Sequence, residues 1–214
     1  MSAPLTDGIN ALTAYANEVT GASDTTLSDA VHTLASGYGG GDSTTAIIDD
    51  NTEYIHFEGK GNKKLTRFFS AQNARVLYIG GITNLDSPYF FEQMPNLEAV
   101  IFPDATNFAA YLFWVLYTDY AKTTVDIYQK QAFGSATVFR FEQGGNVILR
   151  NAEMSTTGFT ATTWGVSNGI KFYVPSALRA DYLADSNWST FGSDRILPIE
   201  GTVYEDIDWW KALI

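Results

Sequence analysis

The chain has 214 residues, enough for one large or two small domains, and 14% of them are aromatic, enough for a sizeable core. Its net charge of −11 argues against nucleic acid and against an anionic membrane surface, because both call for clustered Lys and Arg. It has no Cys, which excludes disulfides, thiolate catalysis and Cys-ligated zinc.

The charge is lopsided: residues 1–50 carry seven acids and no Lys or Arg. Met1-Ser2-Ala3-Pro4 lacks the basic-then-apolar order of a signal peptide. Leu5, Ile9, Leu12, Ala16 and Val19 fall at helical steps and predict an amphipathic helix over 5–19. A second helix is expected behind Thr26-Leu27-Ser28-Asp29, with the stripe Leu27, Val31, Leu34 and Tyr38. Residues 1–38 therefore read as a helical hairpin. It is too small to bury both stripes alone and is expected to pack on the next region, a second copy or a partner.

Residues 39–50 read as a Gly/Ser/Thr linker and entry segment, with Ala46-Ile47-Ile48 opening the next domain. Over 51–175 a short apolar beat recurs: Ile55-His56-Phe57, Leu77-Tyr78-Ile79, Val100-Ile101-Phe102, Val125-Asp126-Ile127, Val147-Ile148-Leu149 and Phe172-Tyr173-Val174. The steps are 22, 23, 25, 22 and 25 residues, a period typical of solenoids. A second ladder runs beside it. Leu85, Phe108 and Phe133 stand eight residues after their beats, and Phe68, Phe90, Phe113 and Val138 stand thirteen after theirs. Phe159 stands twelve residues after the fifth beat. One such unit cannot bury its apolar face alone, whereas stacked units can.

Residues 176–214 change pattern and read as a cap and tail. A helix is expected from Ser176, its proposed N-cap, through Leu183. Trp188, Phe191 and Ile196-Leu197-Pro198-Ile199 follow, and Trp209-Trp210-Lys211-Ala212-Leu213-Ile214 is expected to dock on the domain or on a neighbour. The longest apolar run, Phe108 to Tyr117, has about half of the ~20 residues that a membrane-spanning helix needs, so no insertion is expected.

Few groups suggest chemistry. His32 and His56 are the only histidines, and they read as unrelated surface residues. Asp49-Asp50 and Glu205-Asp206 with Asp208 read as solvated acids, since neighbouring acids face apart and lack calcium-loop spacing. Gly59-Lys60-Gly61-Asn62-Lys63-Lys64 reads as a turn. Tyr78, Ile101 and Tyr173 take the outward middle position of their strands, which makes them a candidate ligand or partner face. The competing expectation is that the N-terminal helices cover them. Trp209 and Trp210 are the candidate subunit contact. Trp114, Trp164 and Trp188 read as core or cap.

Leu97-Glu98-Ala99-Val100-Ile101-Phe102-Pro103 and Gly169-Ile170-Lys171-Phe172-Tyr173-Val174-Pro175 resemble the strand segment of BspA-type bacterial leucine-rich repeats. Phe90, Phe113 and Phe159 sit where that family carries an Ala-Phe-like landmark, and residues 173–199 look like the closing cap of such proteins from gut Firmicutes. The chain departs from the pattern at Tyr128 and Arg150, which replace the Pro. Leu5-Thr6-Asp7-Gly8-Ile9 and Leu27-Ser28-Asp29-Ala30-Val31 are similar to helical leaders of phage and prophage tail-associated proteins. The resemblance implies an α/β solenoid: a right-handed leucine-rich-repeat coil of short parallel strands with irregular return legs, a helical hairpin before it and a helical cap after it. It implies a non-enzymatic binding or adhesion module for a protein or glycan, in a phage-tail or cell-surface assembly, with no cofactor or metal. A purely structural, homo-oligomeric component is the alternative, and a carbohydrate-active enzyme using paired carboxylates the remote one.

Overall fold

The computed structural model describes residues 43–47, 53–58, 64–69, 73–85, 96–110, 112, 123–139, 144–163 and 169–214. The expected helical hairpin lies outside them, as do His32, Asp49, Asp50, Phe90, Phe113, Trp114 and Trp164. In chain order the strands are β1 (Ser43–Ile47), β2 (Tyr54–Glu58), β3 (Lys64–Phe69), β4 (Val76–Gly80), β5 (Asn84–Leu85), β6 (Ala99–Phe102) and β7 (Asn107–Phe108). Then come β8 (Thr124–Ile127), β9 (Ala132–Phe133), β10 (Asn146–Leu149), β11 (Thr156–Thr157), β12 (Lys171–Val174), helix α1 (Ser176–Ala184) and β13 (Ile196–Pro198).

Seven strands form one parallel sheet in the order β13-β12-β10-β8-β6-β4-β2. The remaining strands form a four-stranded sheet, β1-β3-β5-β7, and a two-stranded one, β9-β11. From β1 to β12 the chain thus alternates between a strand of the large sheet and a strand of a small one, and a helix leads to β13, an α/β repeat-like arrangement. Parallel neighbours need a crossover of a dozen or more residues, and the 22–25-residue period supplies it.

Register follows the beat. Ile55 pairs with Leu77, Leu77 with Val100, Val100 with Val125, Val125 with Val147, and Val147 with Phe172. Of the second ladder, Leu85 pairs with Phe108, whereas Phe133 lies in the two-stranded sheet and pairs with Thr157, outside the ladder. Side chains alternate along a strand, so the first and third residues of each beat point to the same side. There Leu77, Ile79, Val100, Phe102, Val125, Ile127, Val147 and Leu149 join Ile82, Leu85, Phe133 and Phe159 in one buried cluster. Burying each large aliphatic or aromatic side chain stabilises by about 1.5–3 kcal/mol. A one-residue slip would turn the whole row out to the other face, so the pattern holds the register.

Three expectations change. Ser43, Thr44 and Thr45 belong to β1, so a strand begins inside the stretch read as a linker. Residues 196–198, read as cap, form a seventh strand: Phe172 pairs with Ile196 and Tyr173 with Leu197. Pro198 stands at the last position of this edge strand, where its missing donor costs least. Ser176 is the first helical residue and Pro175 the cap position. The Ser176 hydroxyl donates to Glu200 Oε2 at 2.6 Å, and the Ser176 backbone N–H donates to the same oxygen at 2.9 Å. Glu200, not Ser176, satisfies the start of the helix.

Trp188 lies at the centre of the closing end. It is wholly buried, edge-on to Phe172 at 4.9 Å and to Tyr182 at 5.1 Å. Its indole N–H donates to Ser155 O at 2.8 Å, and the Ser155 N–H donates to the Tyr182 hydroxyl at 2.9 Å. Gly192, with φ of 81°, turns the chain from this aromatic plug into β13.

Candidate functional site

The middle residue of each beat points away from the main core. Along the sheet these are His56, Tyr78, Ile101, Asp126, Ile148, Tyr173 and Leu197. The chain's own residues 201–214 lie across this face. Trp210 stacks on Tyr54 with ring centres 5.7 Å apart and leans on Tyr78 at 5.8 Å. It forms a second buried cluster with Val76, Ala99 and Ile101, joined by Tyr128, Trp209 and Leu213.

The candidate face is therefore occupied in part. Ile101 is wholly buried and presents no surface. Tyr78 is half-buried beside Trp210. Tyr173 is half-buried, with Tyr204 edge-on at 4.6 Å. His56 is exposed, 4.6 Å from the Tyr78 ring, and shares a 3.4 Å contact from Nδ1 to the Tyr54 hydroxyl. Trp209 and Trp210 are taken up within the chain, against its own sheet, because the apolar outward residues of three rungs offer them a seat. The C-terminal end of the sequence supplies this cover, and the N-terminal helices expected to do so lie outside the described residues.

A polar network lies next to this seat. Asp126 is 0% exposed and Arg150 12%, and the two meet fork to fork at 2.7 and 2.8 Å. The Trp209 indole N–H donates to Asp126 Oδ2 at 2.8 Å. Burial pushes the Asp126 carboxyl above its ordinary range, while the Arg150 and Trp209 donors pull it down. Arg150 also lies over the Tyr128 ring at 5.5 Å. Burial, then the nearby Asp126 charge, pushes the Tyr128 phenol up. Tyr128 donates to Ile207 O at 3.3 Å, and Asn146 Nδ2 donates to the Tyr204 hydroxyl at 3.1 Å. These bonds fix the final segment at its middle.

Asp126, Arg150, Tyr128 and Tyr204 were not singled out as site residues from the sequence. A usable signal was present. Asp126 and Arg150 are 24 residues apart, close to one period, and so are other opposite charges that pair between rungs. Arg75 meets Glu53 at 3.6 Å and Glu98 at 2.7 Å, and Lys130 meets Glu153 at 2.6 Å.

Among the described residues two clefts flank this sheet. One, of about 480 Å³, is lined by Tyr128, Arg150, Pro175, Ile199, Glu200, Glu205 and Ile207. The first four follow directly on β8, β10, β12 and β13, so the cleft runs over the carboxyl ends of four neighbouring strands. The final segment supplies its other wall. Its lining combines an aromatic ring, a guanidinium, three apolar side chains and two carboxylates. The other cleft, of about 410 Å³, lies at the opposite strand ends and is lined by Glu53, Asn73, Arg75, Asn96 and Glu98.

The acids named from the sequence serve local turns. Glu205 Oε2 accepts from Gly201 N at 2.9 Å, Asp206 Oδ1 accepts from Asp208 N at 2.9 Å, and Asp208 pairs with Lys211 at 2.7 Å. Among the described residues no group of three or more His, Asp or Glu is placed to hold a metal ion, and no helix is long and apolar enough to cross a membrane.

The fold and these clefts define an α/β repeat-like protein with a self-covered sheet face. No family model, curated protein or solved structure matches the chain.

Proposed function

We propose that the chain is a non-enzymatic recognition module built as a right-handed leucine-rich-repeat coil of the BspA type, binding a protein or a glycan. The observation that carries this reading is the in-register stack of seven rungs spaced by one sequence period. Stacked units of this kind create extended surfaces for binding. The cleft over the ends of β8, β10, β12 and β13 is the proposed contact. Tyr128 offers a ring face, and Arg150, Glu200 and Glu205 offer donors and acceptors around it. The work of the module belongs in a phage-tail or cell-surface assembly. A glycan array and a pull-down with the intact chain test the reading, with Tyr128→Ala and Glu205→Ala as cleft variants. Binding that both variants weaken supports it; no ligand in either assay removes it.

A second reading, a structural assembly component, is favoured by exposed apolar residues of the final segment. Val203 is 72% exposed, Ile207 54% and Ile214 58%, apolar side chains that suit a subunit contact. Sedimentation as a monomer at all concentrations weighs against it. A carbohydrate-active enzyme is the least supported. Of the two carboxylates lining the cleft, Glu200 is held below its ordinary range by the Ser176 donors, the wrong direction for a general acid.

A further inference from the structure

The final segment is attached to the sheet without being woven into it. Its backbone hydrogen bonds are local: Glu205 N donates to Thr202 O at 3.2 Å, Trp209 N to Asp206 O at 3.3 Å and Lys211 N to Asp208 O at 2.8 Å. Its bonds to the sheet all involve a side chain, such as the Trp209 indole on Asp126 and the Tyr128 hydroxyl on Ile207 O. The segment leaves the body at Gly201, where φ is 80°. The seat under Trp210 is built from Tyr54, Val76, Tyr78, Ala99 and Ile101, residues of three rungs whose positions the strand pairing sets. Plug and seat are thus two halves of one contact: the seat lies on β2, β4 and β6, at the far end of the sheet from β13, and residues 201–209 are the short connection that carries the plug to it.

We propose that this sheet face is an exchange seat, which takes residues 201–214 of a second copy in place of the chain's own. Every copy carries both halves, so reciprocal exchange keeps every plug-to-seat contact. The short connection gives the chain's own plug a local concentration in about the millimolar range. The isolated protein therefore closes on itself, and crowded copies, as in an assembly, exchange. This goes beyond the recognition reading and does not depend on the ligand.

Two full-length variants test it. Trp209→Ala with Trp210→Ala spoils the plug and leaves the seat. Ile101→Glu spoils the seat and leaves the plug, its carboxylate reaching water once Trp210 is displaced. Each alone sediments as a monomer. Mixed, they form a one-to-one heterodimer of twice the monomer mass, because the sound plug of one takes the sound seat of the other. A mixture that stays monomeric at high-micromolar concentration, with both variants keeping wild-type circular dichroism, overturns the proposal. If either variant loses its fold, energy transfer decides. The natural chain has no Cys, so Ala212→Cys takes a donor dye on one batch and Lys171→Cys an acceptor on another. Transfer between copies above that of the two dyes on an unrelated monomeric protein at the same concentration supports exchange, and transfer no greater than that control refutes it. Neither result touches ligand binding by the monomer, so this proposal and the recognition reading fail separately.

Discussion

Replacing Arg150 by Met leaves the Asp126 carboxylate wholly buried with only the Trp209 indole N–H as donor. Breaking a buried pair from one side costs about 3–5 kcal/mol, since the remaining charge has neither water nor a partner. For a chain of this length each kcal/mol lowers Tm by about 2–4 °C, so a loss of about 6–20 °C is expected near neutral pH. Asp126 can escape by taking a proton. Its folded pKa is already raised by burial, and removing Arg150 raises it further. The folded state then binds that proton more tightly than the unfolded state does. The Asp126 contribution to the variant's stability is therefore greatest below the unfolded carboxylate range and is lost as pH rises through the raised folded pKa, so the deficit against wild type at the same pH widens from acid to neutral. Thermal melts followed by circular dichroism at acid and neutral pH read the deficit. Replacing both partners, Asp126→Leu with Arg150→Met, returns stability to within about 1.5 kcal/mol of wild type, because a well-packed apolar pair roughly matches a buried ion pair. A single variant as stable as wild type, or a double variant worse than the single, refutes the reasoning.

Trp188→Ala removes the hub of the closing end and orphans Ser155 O; it should cost about 3–5 kcal/mol and move the whole urea transition. Trp210→Ala instead frees residues 201–214, seen as faster proteolysis after Gly201, and moves the main transition less. Gly192→Ala meets both a φ of 81° and the Asp194 carboxylate 2.7 Å from the new Cβ, and should cost about 1–2 kcal/mol. Gly134→Ala has nothing within 4 Å and should stay within about 0.5 kcal/mol of wild type in the same melts.

The stack of strands was legible because burial on one face repeats at a fixed interval, and Leu77, Val100, Val125 and Val147 carry that interval in plain view. The seventh strand was harder to see. Ile196 lies 24 residues after Phe172, but helix α1 and the Trp188 turn fill that interval with a different pattern. The site was less legible than the fold. Its seat is made by residues far apart in the chain: Tyr54 and Trp210 are 156 positions apart, and no local periodicity joins them. Tyr78 and Ile101 point away from the main core, yet outward is not the same as exposed when another segment returns to cover the face. The Asp126–Arg150 pair was visible only as two departures from the apolar beat, and the one-period offset between opposite charges is the rule that connects them.

The rungs lie side by side in sequence order, so the two ends of the large sheet are far apart. Glu53 and Asp194 each stand two residues before the inward Ile55 and Ile196, just ahead of the first and last strands of the seven, and both are exposed. The absence of Cys lets Glu53→Cys and Asp194→Cys carry the only two spin labels. Pulsed electron–electron resonance should give one narrow distance near ~29 Å, six strand spacings of ~4.8 Å, widened a few ångströms by the label arms. A broad distribution, or a short distance that brings the first and last strands together, would contradict the stacked order on which the account rests.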